Sequence, residues 1–168
     1  MIELRKHIVF PGQFIITSVP TLISTVLGSC VSVCLWDTET KVGAMNHYLL
    51  PGTTEDDPGD PNRGISSTRI LIRSMINRKL NLKNLEAKVF GGCNSLYANN
   101  DCFKVGERNI SMALEILRNY NIAVTAQHVG GGFGRKIVFN TDTGKVRMRL
   151  LIKTDTEINE KINKGFSY

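Results

Sequence analysis

The chain has 168 residues, of which 42% are apolar and 21% charged, a composition typical of a folded globular protein rather than a disordered one. It contains no run of 18 apolar residues, and its first residues lack the apolar core of a signal peptide. We therefore expect a cytoplasmic protein without a membrane-spanning segment, whose four cysteines are free thiols.

The formal net charge of +6 is unevenly distributed along the chain. Residues 1–60 contain 3 basic and 7 acidic side chains, whereas residues 61–168 contain 18 and 8. The basic residues are scattered at helix and strand spacing and form no dense cluster interleaved with aromatic residues. This pattern favours solvated faces or an acidic protein partner over a nucleic-acid site.

The first half is predicted to be mainly β-structure. Apolar and β-branched residues predict strands at 13–19 and 22–27. The segments 27–37 and 42–51 predict an antiparallel hairpin, because only a short polar loop from Asp37 to Lys41 separates them. A loop rich in proline, glycine and aspartate follows at 51–62 and is long for a compact domain.

The second half adds two helices and further strands. Ser66 or Ser67 is expected to cap a helix that runs to about Leu80, and a second helix is expected at 107–120. Strands are predicted at 86–90, 122–129, 135–141 and 145–153. The last two are joined by a three-residue turn, with Gly144 in the left-handed conformation.

These elements are grouped by kind rather than strictly alternating. The grouping favours an α+β fold, a layered α/β sandwich of mostly antiparallel strands with two main helices. We expect a single domain over residues 1–155 and a polar C-terminal tail over 156–168.

The predicted hairpin brings a thiol close to an imidazole. Folding about residues 38–39 makes Cys30 and His47 cross-strand neighbours, with Cβ atoms roughly 5 Å apart. Cysteine beside histidine is the basic unit of thiol-based acyl transfer, although either residue can also be a buried structural one. A symmetric loop with Trp36 opposite Val42 would put the two side chains on opposite faces. We therefore predict a register or β-bulge that departs from the symmetric loop and places both on one face, with the sulfur within about 4 Å of an imidazole nitrogen.

The other cysteines are expected to be passive. Cys34 lies four residues beyond Cys30 on the same strand, about 13 Å away at ~3.3 Å per residue. Two thiolates that share a zinc ion must lie within about 4 Å of each other, so we expect no metal site. Cys93 follows two glycines and Cys102 lies in an asparagine-rich segment, and both are expected to be structural.

The glycine-rich segment 130–134 has the composition of a phosphate loop. It lies between two predicted strands, however, so the helix N-terminus on which such loops rely is missing. We interpret it as a loop that shapes a site or a binding surface.

Five short motifs follow one another between about residues 10 and 153. They are Leu27-Gly28-Ser29-Cys30-Val31, Gly43-Ala44-Met45-Asn46-His47, Lys88-Val89-Phe90-Gly91-Gly92, Val105-Gly106-Glu107-Arg108-Asn109, and Gly130-Gly131 through Gly134-Arg135 to Thr143-Gly144. In this order they resemble the chemoreceptor glutamine deamidase family, CheD, of bacterial chemotaxis.

The resemblance implies which residues perform the chemistry. Cys30 corresponds to the family's nucleophile and His47 to its catalytic histidine. The family's third catalytic group is a threonine shortly before the cysteine, for which both Ser24 and Thr25 are candidates here.

The turn before Cys30 is expected to complete the site. Backbone N–H groups between Ser29 and Val31 would hold the oxyanion that forms during acyl transfer. Gly28 and Ser29 are expected to form a tight backbone that presents these N–H groups, and Asn46, which precedes the histidine, is expected to help shape the site.

The activity implied by the resemblance is that of a protein-glutamine glutaminase, which hydrolyses glutamine side chains of chemoreceptors to glutamate, with methyl-ester hydrolysis as a related activity. The implied fold is akin to the cysteine-hydrolase domain of deamidating toxins, with no cofactor, and the implied regulator is the chemotaxis phosphatase CheC. The alternative is a non-catalytic module that docks on a chemoreceptor or signalling protein through its basic second half.

Overall fold

The structure is a computed structural model that describes residues 4–52, 59–94 and 104–152. This part of the chain forms nine strands and two α-helices. The strands are β1 (Arg5–Ile8), β2 (Phe14–Thr17), β3 (Thr21–Leu27), β4 (Val31–Asp37), β5 (Gly43–Asn46), β6 (Leu85–Gly91), β7 (Ala123–Val129), β8 (Arg135–Asn140) and β9 (Val146–Leu150). The helices are α1 (Gly64–Asn77) and α2 (Val105–Asn119), and a single 3₁₀ turn precedes β6.

The strands form two sheets. The four-stranded sheet has the order β1-β3-β8-β9, and the five-stranded sheet has the order β2-β5-β4-β6-β7. The pairs β1–β3 and β6–β7 are parallel and the other five are antiparallel. The predicted α+β class with mostly antiparallel strands is therefore confirmed.

The five-stranded sheet is the middle layer. Its first face packs against both helices through a core that includes Val33, Leu35, Leu71 and Leu117. Its second face packs against the four-stranded sheet through a core that includes Ile23, Cys34, Met45, Ile137 and Phe139. Because β4 is covered on both faces, its sequence is an almost unbroken apolar run without polar alternation.

Helix α1 begins earlier than its serines suggested. The N-cap position is Arg63, without a side-chain capping bond, and Ser66 and Ser67 are buried inside the first turns. A Cβ atom on Gly64 would lie 2.6 Å from the ring of Tyr48, so the helix starts where it packs tightly against that ring. The capping prediction was wrong because tertiary packing, rather than a local hydroxyl, sets this helix start.

Two further differences concern strands and turns. Strand β1 was not predicted, because its sequence RKHI is polar and all four of its residues are exposed. The β8–β9 turn has four residues, 141–144, rather than three, and Gly144 has the predicted left-handed conformation with φ of 69°.

Cys102, the 156–168 tail and part of the 51–62 loop lie outside the described residues. Within the described ranges, no helix is long and apolar enough to cross a membrane.

Candidate active site

The β4–β5 hairpin has a register that differs from that of a symmetric loop. Trp36 pairs with Gly43 rather than with Val42, and the N–H of Asp37 donates to the carbonyl of Val42 at 2.9 Å. The connecting loop therefore has four residues, 38–41. The Asp37 carboxylate accepts from the backbone N–H groups of the two residues after Thr38, which holds the start of this loop. The symmetric loop would have had five residues, 37–41. The observed loop of four residues shifts the strand pairing by one residue relative to it.

This register places Cys30 and His47 on the same face. Cys34 and Met45 form a pair whose side chains lie in the core between the two sheets, and Cys30 packs against that core. His47 is two residues beyond Met45 and therefore faces the same way, as its contact with β3 shows. The prediction of a shared face is confirmed.

Cys30 and His47 are diagonal neighbours rather than directly opposite each other. The bridge between Val31 and Tyr48 puts Cys30 opposite Leu49. Diagonal pairs lie farther apart than directly opposite ones. The separation of roughly 5 Å between the two Cβ atoms stays a prediction.

Thr25, on β3 of the facing sheet, fixes the protonation of His47. The Thr25 hydroxyl lies 2.7 Å from the carbonyl oxygen of Val9 and 2.8 Å from Nδ1 of His47. The carbonyl can only accept, so the single hydroxyl proton goes to Val9 and the hydroxyl must accept from Nδ1–H. His47 is thereby assigned the tautomer with a proton on Nδ1 and a lone pair on Nε2.

The Nε2 atom of His47 is buried and has no hydrogen-bond partner among the described residues. The Cys30 thiol is thus not hydrogen-bonded to it in this arrangement, and the predicted sulfur–nitrogen contact within about 4 Å has no support. Burial lowers the pKa of His47 from its ordinary value of 6.5, and a hydrogen bond that the imidazole donates to the Val9 backbone carbonyl partly opposes this effect. The imidazole is therefore a neutral base at neutral pH.

The thiol of Cys30 is also neutral at rest. Burial raises its pKa from the ordinary value of 9.0, and this exceeds the lowering by its own backbone N–H. Cys34 is fully buried and its pKa is raised to about 12, which agrees with the structural role predicted for it. A neutral thiol and a neutral imidazole describe the pair better than an ion pair.

Backbone contacts from the end of β6 hold the turn that carries Cys30. The N–H of Gly92 donates to the carbonyl of Cys30 at 2.8 Å, and the N–H of Cys93 donates to that of Gly28 at 2.9 Å. Gly91 has a φ of 112°, and a Cβ atom there would lie 2.1 Å from the Cys30 carbonyl oxygen. Only glycine permits this close approach.

The structure narrows the set of candidate oxyanion donors. The Val31 N–H already donates to the Tyr48 carbonyl at 3.2 Å, so its expected role was wrong. The N–H groups of Ser29 and Cys30 have no backbone partner in the described part of the chain, and they remain candidates. Asn46 faces the helices instead, where its Oδ1 accepts from the Val33 N–H at 2.7 Å. It shapes the hairpin without facing the thiol.

Ser24 and Thr25 occupy different faces of β3. Thr25 is buried against the five-stranded sheet, whereas Ser24 is one residue earlier and points to the opposite face. Of the two candidates, Thr25 is the one that contacts His47.

Asn109 of α2 is a residue for which the sequence indicated no more than a structural role. It is fully buried, and its Nδ2 donates at 2.9 Å both to the Ser29 carbonyl and to the Leu49 carbonyl. The Tyr48 hydroxyl donates to the Asn109 carbonyl at 2.5 Å. Asn109 thus joins the turn before Cys30 to the segment after His47. In the sequence, only its place in the Gly-Glu-Arg-Asn motif pointed to this residue.

The glycine-rich loop 130–134 lies next to this frame. The N–H of Gly130 donates to the Gly91 carbonyl, and the Gly131 carbonyl accepts from the Asn94 N–H, both at 2.9 Å. The fully buried Arg135 guanidinium donates to the carbonyls of Gly130 and Phe133 and to that of His128 before the loop. The loop joins two strands and lies beside the cysteine turn. Its site-shaping role stays a prediction.

A cavity of about 230 Å³ opens beside His47. Thr25 and Val9 line it from the interior. Its remaining walls are largely apolar and are formed by Ile8, Phe10, Pro11 and Val26, together with Ser24 and Lys136. Such a cavity can admit a small polar group on a longer chain.

The fold and the site define a three-layered α+β protein with a thiol and a threonine-oriented imidazole on one internal face, an arrangement found in thiol-dependent hydrolases. Residues 49–150 match the family model described as CheD chemotactic sensory transduction. The chain belongs to the CheD family.

Curated relatives cover almost the whole chain. A probable chemoreceptor glutamine deamidase CheD from Trichlorobacter lovleyi is 41% identical over 143 residues, covering 85% of this chain and 89% of the relative. Proteins with the same description from Sulfurimonas denitrificans and Agrobacterium fabrum are each 37% identical over 155 residues. These two alignments cover 91% of this chain and 99% and 83% of the respective relatives. Because so little of the chain is left uncovered, both alignments include residues 30 and 47.

Proposed function

We propose that this chain is a chemoreceptor glutamine deamidase, which hydrolyses the side-chain amide of receptor glutamines to glutamate and ammonia. Membership of the CheD family supports the substrate class. The observation that carries the chemistry is the hydrogen bond from His47 Nδ1–H to Thr25, which leaves a basic Nε2 on the face that also holds Cys30. The same proposal places the reaction in the cytoplasm, where the Cys30 thiol stays reduced.

In the first half-reaction, His47 Nε2 takes the proton of the Cys30 thiol. A rotation of the cysteine side chain or a small approach of the two strands brings the groups together once substrate binds. The sulfur then attacks the amide carbon, and the N–H groups of Ser29 and Cys30 stabilise the oxyanion. The imidazolium returns its proton to the departing ammonia, leaving a thioester on Cys30.

In the second half-reaction, the neutral His47 activates a water molecule that hydrolyses the thioester. The carbon–sulfur bond breaks, the thiol recovers its proton from the imidazolium, and a glutamate side chain is released. Thr25 acts as a positioning residue throughout, because it fixes the ring orientation and the tautomer.

Mass spectrometry of a receptor cytoplasmic fragment tests the proposal. Incubation with the protein should add about 1 Da per modified glutamine, since hydrolysis through the thioester replaces an amide by a carboxylate. Cys30→Ala should abolish the change while retaining the fold, and Cys34→Ala, at a buried position on the same strand, should keep measurable turnover. Activity in the Cys30→Ala protein would contradict the mechanism.

The same site can cleave receptor methyl esters, because a thiolate attacks ester and amide carbonyls alike. A methylated receptor fragment should then release methanol in a reaction that also requires Cys30. The competing hypothesis of a non-catalytic docking module predicts receptor binding without any mass change, so the first experiment distinguishes the two.

We also propose that a CheC-type phosphatase regulates this chain by occupying the substrate site. The cysteine turn has exposed neighbours that a partner could cover, since Phe133 in the adjacent glycine-rich loop is 46% exposed. A CheC homologue should slow iodoacetamide alkylation of Cys30 and inhibit turnover. Unchanged alkylation at a saturating concentration of the partner would rule out a shared site.

A further inference from the structure

The outer face of the four-stranded sheet is not covered by either helix. Ile23, Ile137 and Phe139 point inward, and the alternating residues between them point outward. Both helices pack on the other sheet. Nothing in the described ranges therefore covers this outer face, whereas the inner face packs against the five-stranded sheet.

Two adjoining depressions cross this face. The first is the cavity beside His47, whose outer walls include Ile8, Val26 and Lys136. The second is a broader groove of about 510 Å³. It is lined by Leu4, Leu22, Val138, Asn140, Thr143, Lys145 and Arg147. The outward positions of β8 run from the first depression into the second, over about 13 Å at ~3.3 Å per residue.

The chemistry of this face is apolar along its middle and basic along one side. Exposed Ile8 and Val26 and the half-buried Val138 provide the apolar part. The exposed basic residues on that side are Lys136 on β8, Lys145 in the turn, and Arg147 and Arg149 on β9, while Lys6 on β1 is exposed at the opposite edge. On the described strands of this sheet, no outward position is acidic, and Asp142 lies beyond them in the β8–β9 turn.

We propose that this outer face is the docking surface for the substrate protein, and that it binds an acidic amphipathic helix laid along the two depressions. The proposal rests on the proposed deamidase function, because the first depression opens on the outer face and reaches His47 and Thr25 on the inner one. Cys30 does not line this depression, so a bound glutamine approaches the thiol from the histidine side. A helix fits a sheet face better than an extended segment does, since its backbone groups are satisfied internally and only its side chains make contact.

Charge complementarity selects an acidic occupant. Every deamidation leaves a new carboxylate on the substrate, so a segment with several modified sites becomes more negative as the reaction proceeds. The basic side of the groove then attracts partly modified substrate more strongly, which favours further turnover at neighbouring glutamines.

The test compares two triple charge reversals with the same change in net charge. Lys136→Glu/Arg147→Glu/Arg149→Glu alters the groove, whereas Arg69→Glu/Arg73→Glu/Lys83→Glu alters exposed positions in the helical layer. With a receptor cytoplasmic fragment, the groove variant should raise KM at least tenfold and leave kcat within about threefold. The control variant should keep KM within about twofold, and iodoacetamide should alkylate Cys30 at the same rate in all three proteins.

Two further measurements make the outcome decisive. Raising the salt concentration should weaken receptor binding to the Cys30→Ala protein but have little further effect on the groove variant in that background. An unchanged KM in the groove variant, with an active wild-type protein, would overturn the docking proposal alone. A wild-type protein that leaves the receptor unmodified would overturn the function as well, and a wild-type dimer that the groove variant dissociates would show that a second copy occupies the face.

Discussion

At the scale of single residues, the site depends on where one proton resides. The Thr25 hydroxyl has a single hydrogen, which goes to the Val9 carbonyl, so His47 must donate from Nδ1. Burial keeps the imidazole neutral and the thiol protonated by shifting their pKa values in opposite directions. The resting site is thus uncharged and becomes reactive when a proton moves from sulfur to Nε2.

We predict that Thr25→Val lowers kcat by roughly tenfold to a hundredfold, because the wrong tautomer of His47 becomes accessible. Thr25→Ser should restore most of the activity, and Ser24→Ala should stay within about threefold of wild type. Loss of the acceptor also disfavours the imidazolium, so the acid limb of the kcat/KM profile should move to lower pH. An unchanged pH profile in a Thr25→Val protein with lowered kcat would indicate a merely structural role.

The Cys30 thiol is predicted to react slowly at neutral pH. Because burial raises its pKa, the midpoint of its iodoacetamide alkylation should lie above pH 9, and peptide mapping would separate it from the other cysteines. The urea-unfolded protein serves as the control, in which the midpoint should return towards about 8.5. A midpoint below about 8 in the folded protein would mean that Cys30 and His47 form an ion pair instead.

At the scale of elements, the glycine-rich loop is held by a buried cation. Arg135 is fully buried and has no carboxylate partner among the described residues, and its guanidinium instead donates to the backbone carbonyls of His128, Gly130 and Phe133. Carbonyl oxygens in a glycine-rich loop would otherwise lack donors away from water. One side chain thus holds the connection between β7 and β8 beside the cysteine turn.

Arg135→Met should lower the free energy of unfolding by about 1–3 kcal/mol, because three partly buried carbonyls lose their donor. Urea denaturation followed by the fluorescence of Trp36, the single tryptophan, measures this change. Lys136→Met, at the adjacent and exposed position, should stay within about 0.5 kcal/mol of wild type. Equal stability of the two variants would contradict the role assigned to Arg135.

At the scale of the whole molecule, all three layers contribute to the site. The four-stranded sheet supplies Thr25, the five-stranded sheet supplies the strands that hold Cys30 and His47, and the helical layer supplies Asn109. Residues from three layers keep their relative positions only when the layers are packed. The precision of the site therefore depends on both cores.

Asn109→Leu should lower the free energy of unfolding by about 2 kcal/mol, since the carbonyls of Ser29 and Leu49 lose their shared donor. It should also lower kcat more than it raises KM, because the cysteine turn and the histidine strand are no longer held together. Ser111→Ala, at an exposed position on the same helix, is the control for α2. A variant that is destabilised but retains full kcat would show that Asn109 acts on folding alone.

Local sequence patterns were enough to predict the class of the fold, and short motifs indicated both residues of the candidate dyad. Hydrophobic patterning and short turns are local properties, so the α+β class, the β4–β5 hairpin and the two helices were predictable from neighbouring residues. The short motifs around Cys30 and His47 indicated the family, which the comparisons confirmed.

Three features became known from the tertiary structure alone: the choice between Ser24 and Thr25, the register of the hairpin, and the contacts of Asn109. Thr25 contacts a histidine 22 residues away on another sheet, and Asn109 bonds carbonyls 80 and 60 residues away. The register depended on one residue of loop length, which the Asp37 side chain settled through its contacts with the turn. Such contacts arise from the packing of distant segments, and the local pattern of a single sequence does not contain them.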